Sequence, residues 1–167
     1  MNKKIRIGTR GSELALWQAN HVAGLLGIEN TEIIIIKTQG DRIQNVSFDK
    51  MEGKGFFTKE IEDALLENKI DLAVHSLKDL PTEDVPGLTI AAVPERGNFY
   101  DMLIIHPHAH EDNAGLNVKP GSVIGTSSMR RMAQIKNLDP SVKIEALRGN
   151  VNTRLRKLEE KQFDAIV

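Results

Sequence analysis

Ile7-Gly8-Thr9-Arg10-Gly11-Ser12 leads into a helical pattern from Glu13, and the phrase returns as Ile124-Gly125-Thr126-Ser127-Ser128 ahead of a second helical pattern from Met129. A short apolar strand that ends in Gly-Thr and passes into a serine-capped helix is a βα unit. Two such units, one near each end of the chain, predict two α/β lobes built alike, with residues 1–97 in the first and 98–167 in the second. Ile33 to Ile36 is a continuous branched run without alternation, which fits a strand covered on both faces and so a mostly parallel sheet. A cleft between two such lobes is a common place for a ligand.

Element by element, Ile5 to Gly8 reads as a strand and Glu13 to Leu26 as a helix capped by Ser12, with Leu14, Trp17, Val22, Leu25 and Leu26 as its apolar stripe. Periodicity is lost from Thr38 to Phe57. Connections of that length are uncommon unless functional or disordered, and Gly53-Lys54-Gly55 lacks the spacing of a nucleotide P-loop. Thr58 is placed to cap a helix reaching Asn68, with Ile61, Ala64 and Leu65 inward. Strands are expected at Leu72–Val74, Leu88–Val93, Met102–Ile105, Val142–Leu147 and Phe163–Val167, and helices over 129–137 and 151–161, the latter with Val151, Leu155 and Leu158 inward. The chain closes on Ala-Ile-Val with no helix to cover that strand. It is therefore expected to belong to a longer polypeptide, with the second lobe incomplete.

Composition narrows the partners. The 22 Lys and Arg balance 23 Asp and Glu, a net charge of −1, so any anion site must be local and a general nucleic-acid or membrane partner is not expected. No signal-peptide core or membrane-length apolar run is present, which makes a cytoplasmic protein the expectation. There is no cysteine among the 167 residues, which removes disulfides and thiol nucleophiles. His106, His108 and His110 alternate, but Pro107 intervenes and no organised carboxylate set accompanies them, so a solvated insertion is expected rather than a metal site.

Asp71 to Pro81 passes from an apolar run straight into His75, Ser76, Lys78 and Asp79. Polar residues at the carboxyl end of a strand stand where open α/β sheets bind ligands. Arg130 and Arg131 sit in the first turn of their helix, where the dipole is already positive; two arginines beside Ser-Ser suit a carboxylate or phosphate. Arg148-Gly149-Asn150 opens the last helix, with Arg154 one turn further on.

Five stretches carry a resemblance: Ile7 to Gln18, Gly53 to Glu60, Val74 to Pro81, Gly125 to Arg131 and Leu147 to Arg154. In this order they resemble the successive motifs of the porphobilinogen deaminase (hydroxymethylbilane synthase) family. The resemblance spans nearly all of this chain but only the amino-terminal part of the family. It implies lobes like those of type 2 periplasmic binding proteins, and a monomeric enzyme of tetrapyrrole (haem) biosynthesis that condenses four porphobilinogen units into hydroxymethylbilane with release of ammonia.

The resemblance also implies roles. Asp79, Lys78 and Arg10 would be catalytic, with Asp79 shuttling a proton and stabilising the azafulvene cation left when ammonia departs. Lys78, Asp79, Thr126, Ser127, Ser128, Arg130, Arg131 and Arg154 would hold a dipyrromethane cofactor. Arg10, Gln18, Arg148, Gly149 and Asn150 would meet porphobilinogen and its polypyrrole products, and Lys50, Lys54 and Phe57 would belong to a mobile loop. In the family a cysteine of a third domain carries the cofactor; neither that cysteine nor that domain is in this chain, so the chain alone should be inactive. A noncatalytic binding module for small carboxylates would keep the arginines and dispense with Asp79. A nucleic-acid or phosphate binder would use the same cations but is disfavoured by the neutral total charge and the lack of interleaved aromatics.

Overall fold

The computed structural model describes residues 3–42 and 56–167. They form two compact units, Met1–Pro94 and Glu95–Val167, each a layered α/β arrangement.

In the first unit the sheet order is β2-β1-β3, with β1 at Ile5–Thr9, β2 at Thr31–Ile35 and β3 at Leu72–Ala73, and both pairings are parallel. Helix α1 (Glu13–Leu26) makes the crossover from β1 to β2. Its start is fixed by Ser12, whose hydroxyl accepts the N–H of Ala15. The short α2 (Gln39–Arg42) follows β2, and α3 (Lys59–Leu66) precedes β3. The isoleucine run is divided between the two faces of the sheet. Ile33 packs with Ile7, Ala19 and Ala23 under α1, whereas Ile34 and Ile36 pack with Ile61, Ala64 and Ile70 under α3. That division explains why the run shows no polar alternation.

The second unit has the order β4-β7-β5-β6, with β4 at Ile104–Ile105, β5 at Val123–Gly125, β6 at Lys143–Glu145 and β7 at Ala165–Ile166. β5 runs parallel to both β6 and β7, and only β4 is antiparallel, against β7. Helix α4 (Met129–Leu138) covers one face through Ile135, which meets Ile124, Val142 and Ala165. Helix α5 (Val151–Glu159) covers the other through Leu158, against Leu147, Phe163 and Ile166. The sheets are thus mixed and mostly parallel.

Several expectations need correction. The side of α1 that meets the sheet is built from Ala19 and Ala23, while Leu14, Trp17, Leu25 and Leu26 are exposed. Small residues let the helix lie close to the strands, and size alone misidentifies the buried face. Thr58 occupies the cap position of α3, but its hydroxyl makes no capping bond and is buried without a partner among the described residues. Val151 is exposed. Leu88–Val93 forms no strand; Ile90 and Val93 are 60% and 70% exposed, and the alternation there finds no described neighbour to pair with. Met102–Ile105 shortens to β4.

Gly125, at the end of β5, is a point of close approach. A methyl group there would lie 2.8 Å from the Phe163 ring and 3.1 Å from Leu147 Cβ. Gly125→Ala should therefore lower the stability of the protein by about 1–3 kcal/mol through overpacking, read as a drop in the denaturant midpoint at unchanged slope.

Register in the first unit is pinned by Asp71, just before β3. Its carboxylate accepts from the Arg6 backbone N–H at 2.8 Å, from Nε at 2.9 Å and from Nη2 at 2.8 Å. The Arg6 side chain and then its backbone N–H hold the Asp71 carboxyl far below the usual carboxylate range. Because the folded state depresses this pKa, the stabilisation is present above the unfolded value of about 3.9 and is lost as pH falls below it. The thermal midpoint should accordingly fall between about pH 4 and pH 2, and Asp71→Asn should flatten that slope. An unchanged slope in the variant would show that other carboxylates govern acid unfolding.

Candidate functional site

In each unit the candidate residues follow the carboxyl ends of parallel strands. β1 delivers Arg10 and β3 delivers Val74 to Asp79; β5 delivers Thr126 to Ser128 and β6 leads to Leu147 to Asn150.

In the first unit the Val74 N–H donates to Gly8 O at 3.0 Å, extending the ladder one residue past β3. The chain then closes into a 3-10 turn over Leu77–Asp79, fastened by the Asp79 N–H on Ser76 O at 2.9 Å. Pro81 prevents that turn from growing into a helix. Ser76 exchanges hydrogen bonds with the Gln18 amide of α1 at 3.0 and 3.1 Å. Gln18 therefore touches the strand-end turn itself and steadies the segment that carries Lys78 and Asp79. Lys78 is exposed and Asp79 half-buried, and no hydrogen bond or ion pair among the described residues engages the Asp79 carboxylate. His75 is half-buried beside it. Burial lowers the His75 pKa, against the pull of Glu62 and Asp79 and with a smaller push from Arg10.

Arg10 is half-buried. Its Nε donates to Asp41 at 3.0 Å, its Nη2 donates to the same carboxylate, and its guanidinium lies 4.2 Å from the centre of the Phe57 ring. Asp41 also accepts from the Thr38 hydroxyl at 2.8 Å and from the Thr38 N–H at 3.2 Å. Burial raises the Asp41 pKa, but the hydrogen bonds from Arg10 and Thr38 outweigh it and the net shift is downward. Lys50 and Lys54 lie outside the described residues.

In the second unit Thr126 is fully buried and its oxygen accepts the Ser128 N–H at 3.3 Å. The Ser127 hydroxyl donates to Leu147 O at 2.9 Å, tying the β5 turn to the end of β6. The Ser128 hydroxyl caps α4 by accepting the Arg131 N–H. Arg130 and Arg131 are joined within the fold by an acidic residue, Asp101. Arg131 donates to Asp101 Oδ1 from Nε at 3.0 Å and from Nη2 at 2.8 Å, and Arg130 Nη1 lies 2.6 Å from Oδ2. Arg130 and then Arg131 pull the Asp101 carboxyl down to about 2. Arg131 Nη1 also donates to Val167 O at 3.0 Å.

Arg154 differs from that pair. Its Nε donates to Gly149 O at 2.9 Å, and no ion pair among the described residues involves it. Burial, and then the neighbouring Arg131, lower its pKa. A half-buried guanidinium whose charge is opposed by desolvation and by a second cation gains from a bound carboxylate. Arg148 is half-buried in the turn after β6, Gly149 has φ +115°, and Asn150 Oδ1 caps α5 by accepting the Thr153 N–H at 2.9 Å. These three shape the strand-end turn, with Gly149 supplying a backbone that other residues rarely adopt.

Asp41 and Asp101 are absent from the sequence-based set of site residues. Each joins its arginine across about thirty positions, 31 and 30 respectively, and no local pattern links residues so far apart. The three histidines each have a partner within the fold. The His106 and His108 rings touch, with Nδ1 atoms 2.6 Å apart, while His108 Nε2 meets Asp164 at 2.7 Å and His110 lies near Asp112. No group of three or more such residues among those described is arranged to hold a metal. No helix among them is long and apolar enough to cross a membrane.

Fold and donor chemistry together define a class of α/β protein that gathers guanidinium and hydroxyl groups at the carboxyl ends of its strands. Residues 5–167 match the family model described as porphobilinogen deaminase, dipyromethane cofactor binding domain. The chain is 48% identical over 99% of its length to the porphobilinogen deaminase of Syntrophomonas wolfei, covering 54% of that protein, and 48% identical to that of Sulfurimonas denitrificans, covering 53%. A probable porphobilinogen deaminase of Methanocaldococcus jannaschii is 52% identical over 98% of this chain, which covers 54% of the relative. This chain belongs to the porphobilinogen deaminase family, and it spans about half the length of the curated relatives it matches.

One residue of the second unit has the chemistry a dipyrromethane calls for. A pyrrole pair with acetate and propionate side chains needs several forked cations and hydroxyl donors, and Arg154 is a half-buried guanidinium with only Nε engaged. With no cysteine in the chain, a thioether anchor cannot come from these residues.

Proposed function

We propose that the full-length protein is a hydroxymethylbilane synthase of tetrapyrrole biosynthesis. It would join four porphobilinogen units and release ammonia, as a cytoplasmic monomer without a nucleic-acid or membrane partner. Residues 1–97 and 98–167 contribute as two lobes. The observation that carries this reading is the Asp79 carboxylate, fixed by its backbone at a strand end and unpaired among the described residues, in a chain of this family.

In the first lobe, Asp79 accepts hydrogen bonds from pyrrole N–H groups. As ammonia departs with the electron pair of its C–N bond, the ring nitrogen takes up the positive charge and the carboxylate stabilises it. Lys78 and Arg10 bind acid side chains of the ring, and Gln18 steadies the turn through Ser76. In the second lobe Arg131, Arg154 and Arg130, with Thr126, Ser127 and Ser128, hold the acid groups of the dipyrromethane. Arg148, Gly149 and Asn150 form the turn that meets substrate rings. The dipyrromethane, when bound, anchors the growing pyrrole chain.

The test is incubation of the full-length protein with porphobilinogen. Ammonia and a linear tetrapyrrole are expected. Saturable binding without ammonia would instead favour a noncatalytic module for small carboxylates.

A further inference from the structure

The arginine at the end of β1 is held in an unequal way. A guanidinium offers two forked edges, one formed by Nε and Nη2 and the other by Nη1 and Nη2. Asp41 occupies the first edge: Nε donates to its two oxygens at 3.0 and 3.3 Å, and Nη2 donates to Oδ1. The Phe57 ring lies against one face of the guanidinium. Nη1 makes no hydrogen bond among the described residues, so the second edge is left for a ligand. Asp41 is itself held from a second direction, by the Thr38 hydroxyl and N–H, and its side chain is 27% exposed beside 21% for Arg10. The backbone around it is also fastened, with the Gly40 N–H on Phe56 O at 2.8 Å and the Gln39 N–H on Glu60 Oε1 at 2.8 Å.

We propose that Asp41 is a positioning residue that clamps Arg10 by its Nε/Nη2 edge and thereby presents the Nη1/Nη2 edge to a carboxylate of the substrate ring. This inference rests on the proposed function above and adds to it a residue outside the expected site. A carboxylate that met Arg10 without the clamp would have to immobilise a long, rotatable side chain on binding. With the clamp, that ordering is completed in folding, and the fork meets a planar carboxylate in one orientation. The same carboxylate leaves the pair nearly neutral, so the free edge recognises by geometry more than by net charge. A substrate acid in the wrong place gains little from it.

The test uses the full-length protein as wild type, Arg10→Lys, Asp41→Asn and the double variant. Asp41→Asn should lower kcat/KM for porphobilinogen about 10²-fold, the order expected for a misplaced binding group. Arg10→Lys should lower it by a similar factor, and the double variant should be no worse than the poorer single one, because both changes remove one unit. Losses that multiply, or an unaffected Asp41→Asn, would overturn the proposal. A second readout does not depend on turnover: the Arg10 Nε–H resonance should exchange slowly in wild type and rapidly in Asp41→Asn, while the thermal midpoint falls only slightly. A resonance that stays protected would overturn it. If wild type releases no ammonia, the proposed function fails, and the resonance alone still decides the role of Asp41. If Asp41→Asn does not fold, Thr38→Val takes its place. It removes one donor to Asp41 and should broaden the Arg10 resonance and lower kcat/KM several-fold; no change in either would overturn the clamp.

Discussion

Asp79→Asn in the full-length protein is expected to lower ammonia release from porphobilinogen by about 10²–10³-fold, the usual loss when a preorganised group facing developing charge is removed. The fold should persist. The turn carrying Asp79 is closed by a backbone bond to Ser76 O and by the Gln18–Ser76 pair, neither of which uses the carboxylate. Asparagine keeps the size of the side chain and can still accept one pyrrole N–H, so KM should change little while kcat falls. This pattern separates a group that acts as charge develops from one that binds the ground state. Near-normal turnover in the variant would remove Asp79 from the chemistry and favour a carboxylate-binding module.

Arg131→Leu should have the second-largest effect, and chiefly on binding. Its links to Asp101 and to Val167 O are partly exposed, and such surface pairs contribute about 0–1 kcal/mol. Loss of a charge-assisted pair with a ligand carboxylate costs about 2–5 kcal/mol, so affinity for a dipyrromethane acid should fall about 10²-fold or more. The effect extends to its neighbours. Asp101 shares its oxygens between Arg130 and Arg131, and without Arg131 it remains paired with Arg130 alone. A titration with the dipyrromethane dicarboxylate, followed by a far-UV spectrum, distinguishes the cases. Weak binding with an intact spectrum is predicted, whereas unchanged binding with a melted spectrum would make Arg131 a structural residue.

The parts of this structure that were legible in the sequence are those written locally. Ser12, Ser128 and Asn150 each precede a helix and each cap it with a side-chain oxygen. The undivided isoleucine run correctly implied a strand with apolar contacts on both faces. The turns that carry Val74–Asp79, Thr126–Ser128 and Leu147–Asn150 also follow strand ends, as the local pattern implied. What the sequence concealed depends on partners distant in the chain. Arg130 and Arg131 read as a site for a bound anion, and their pairing with Asp101 emerged only from the fold. Arg10 is likewise bound to Asp41, which read as one charge among many in an irregular stretch. Leu88–Val93 has the composition of a strand and lacks a described partner, which shows that β-propensity measures fit to a neighbour more than a preference of the backbone. In α1, apolar bulk pointed to Trp17 and Leu25, whereas close helix-to-sheet packing selected Ala19 and Ala23.

The assignment of Asp79 to the pyrrole cation is met most directly by a crystal structure of the full-length protein with a bound pyrrole ligand. The prediction is a carboxylate oxygen of Asp79 within about 3 Å of the pyrrole nitrogens, as a hydrogen bond requires, with the free edge of Arg10 on an acid side chain of the same ring. A ligand whose nitrogens are bound elsewhere while Asp79 faces solvent would contradict it.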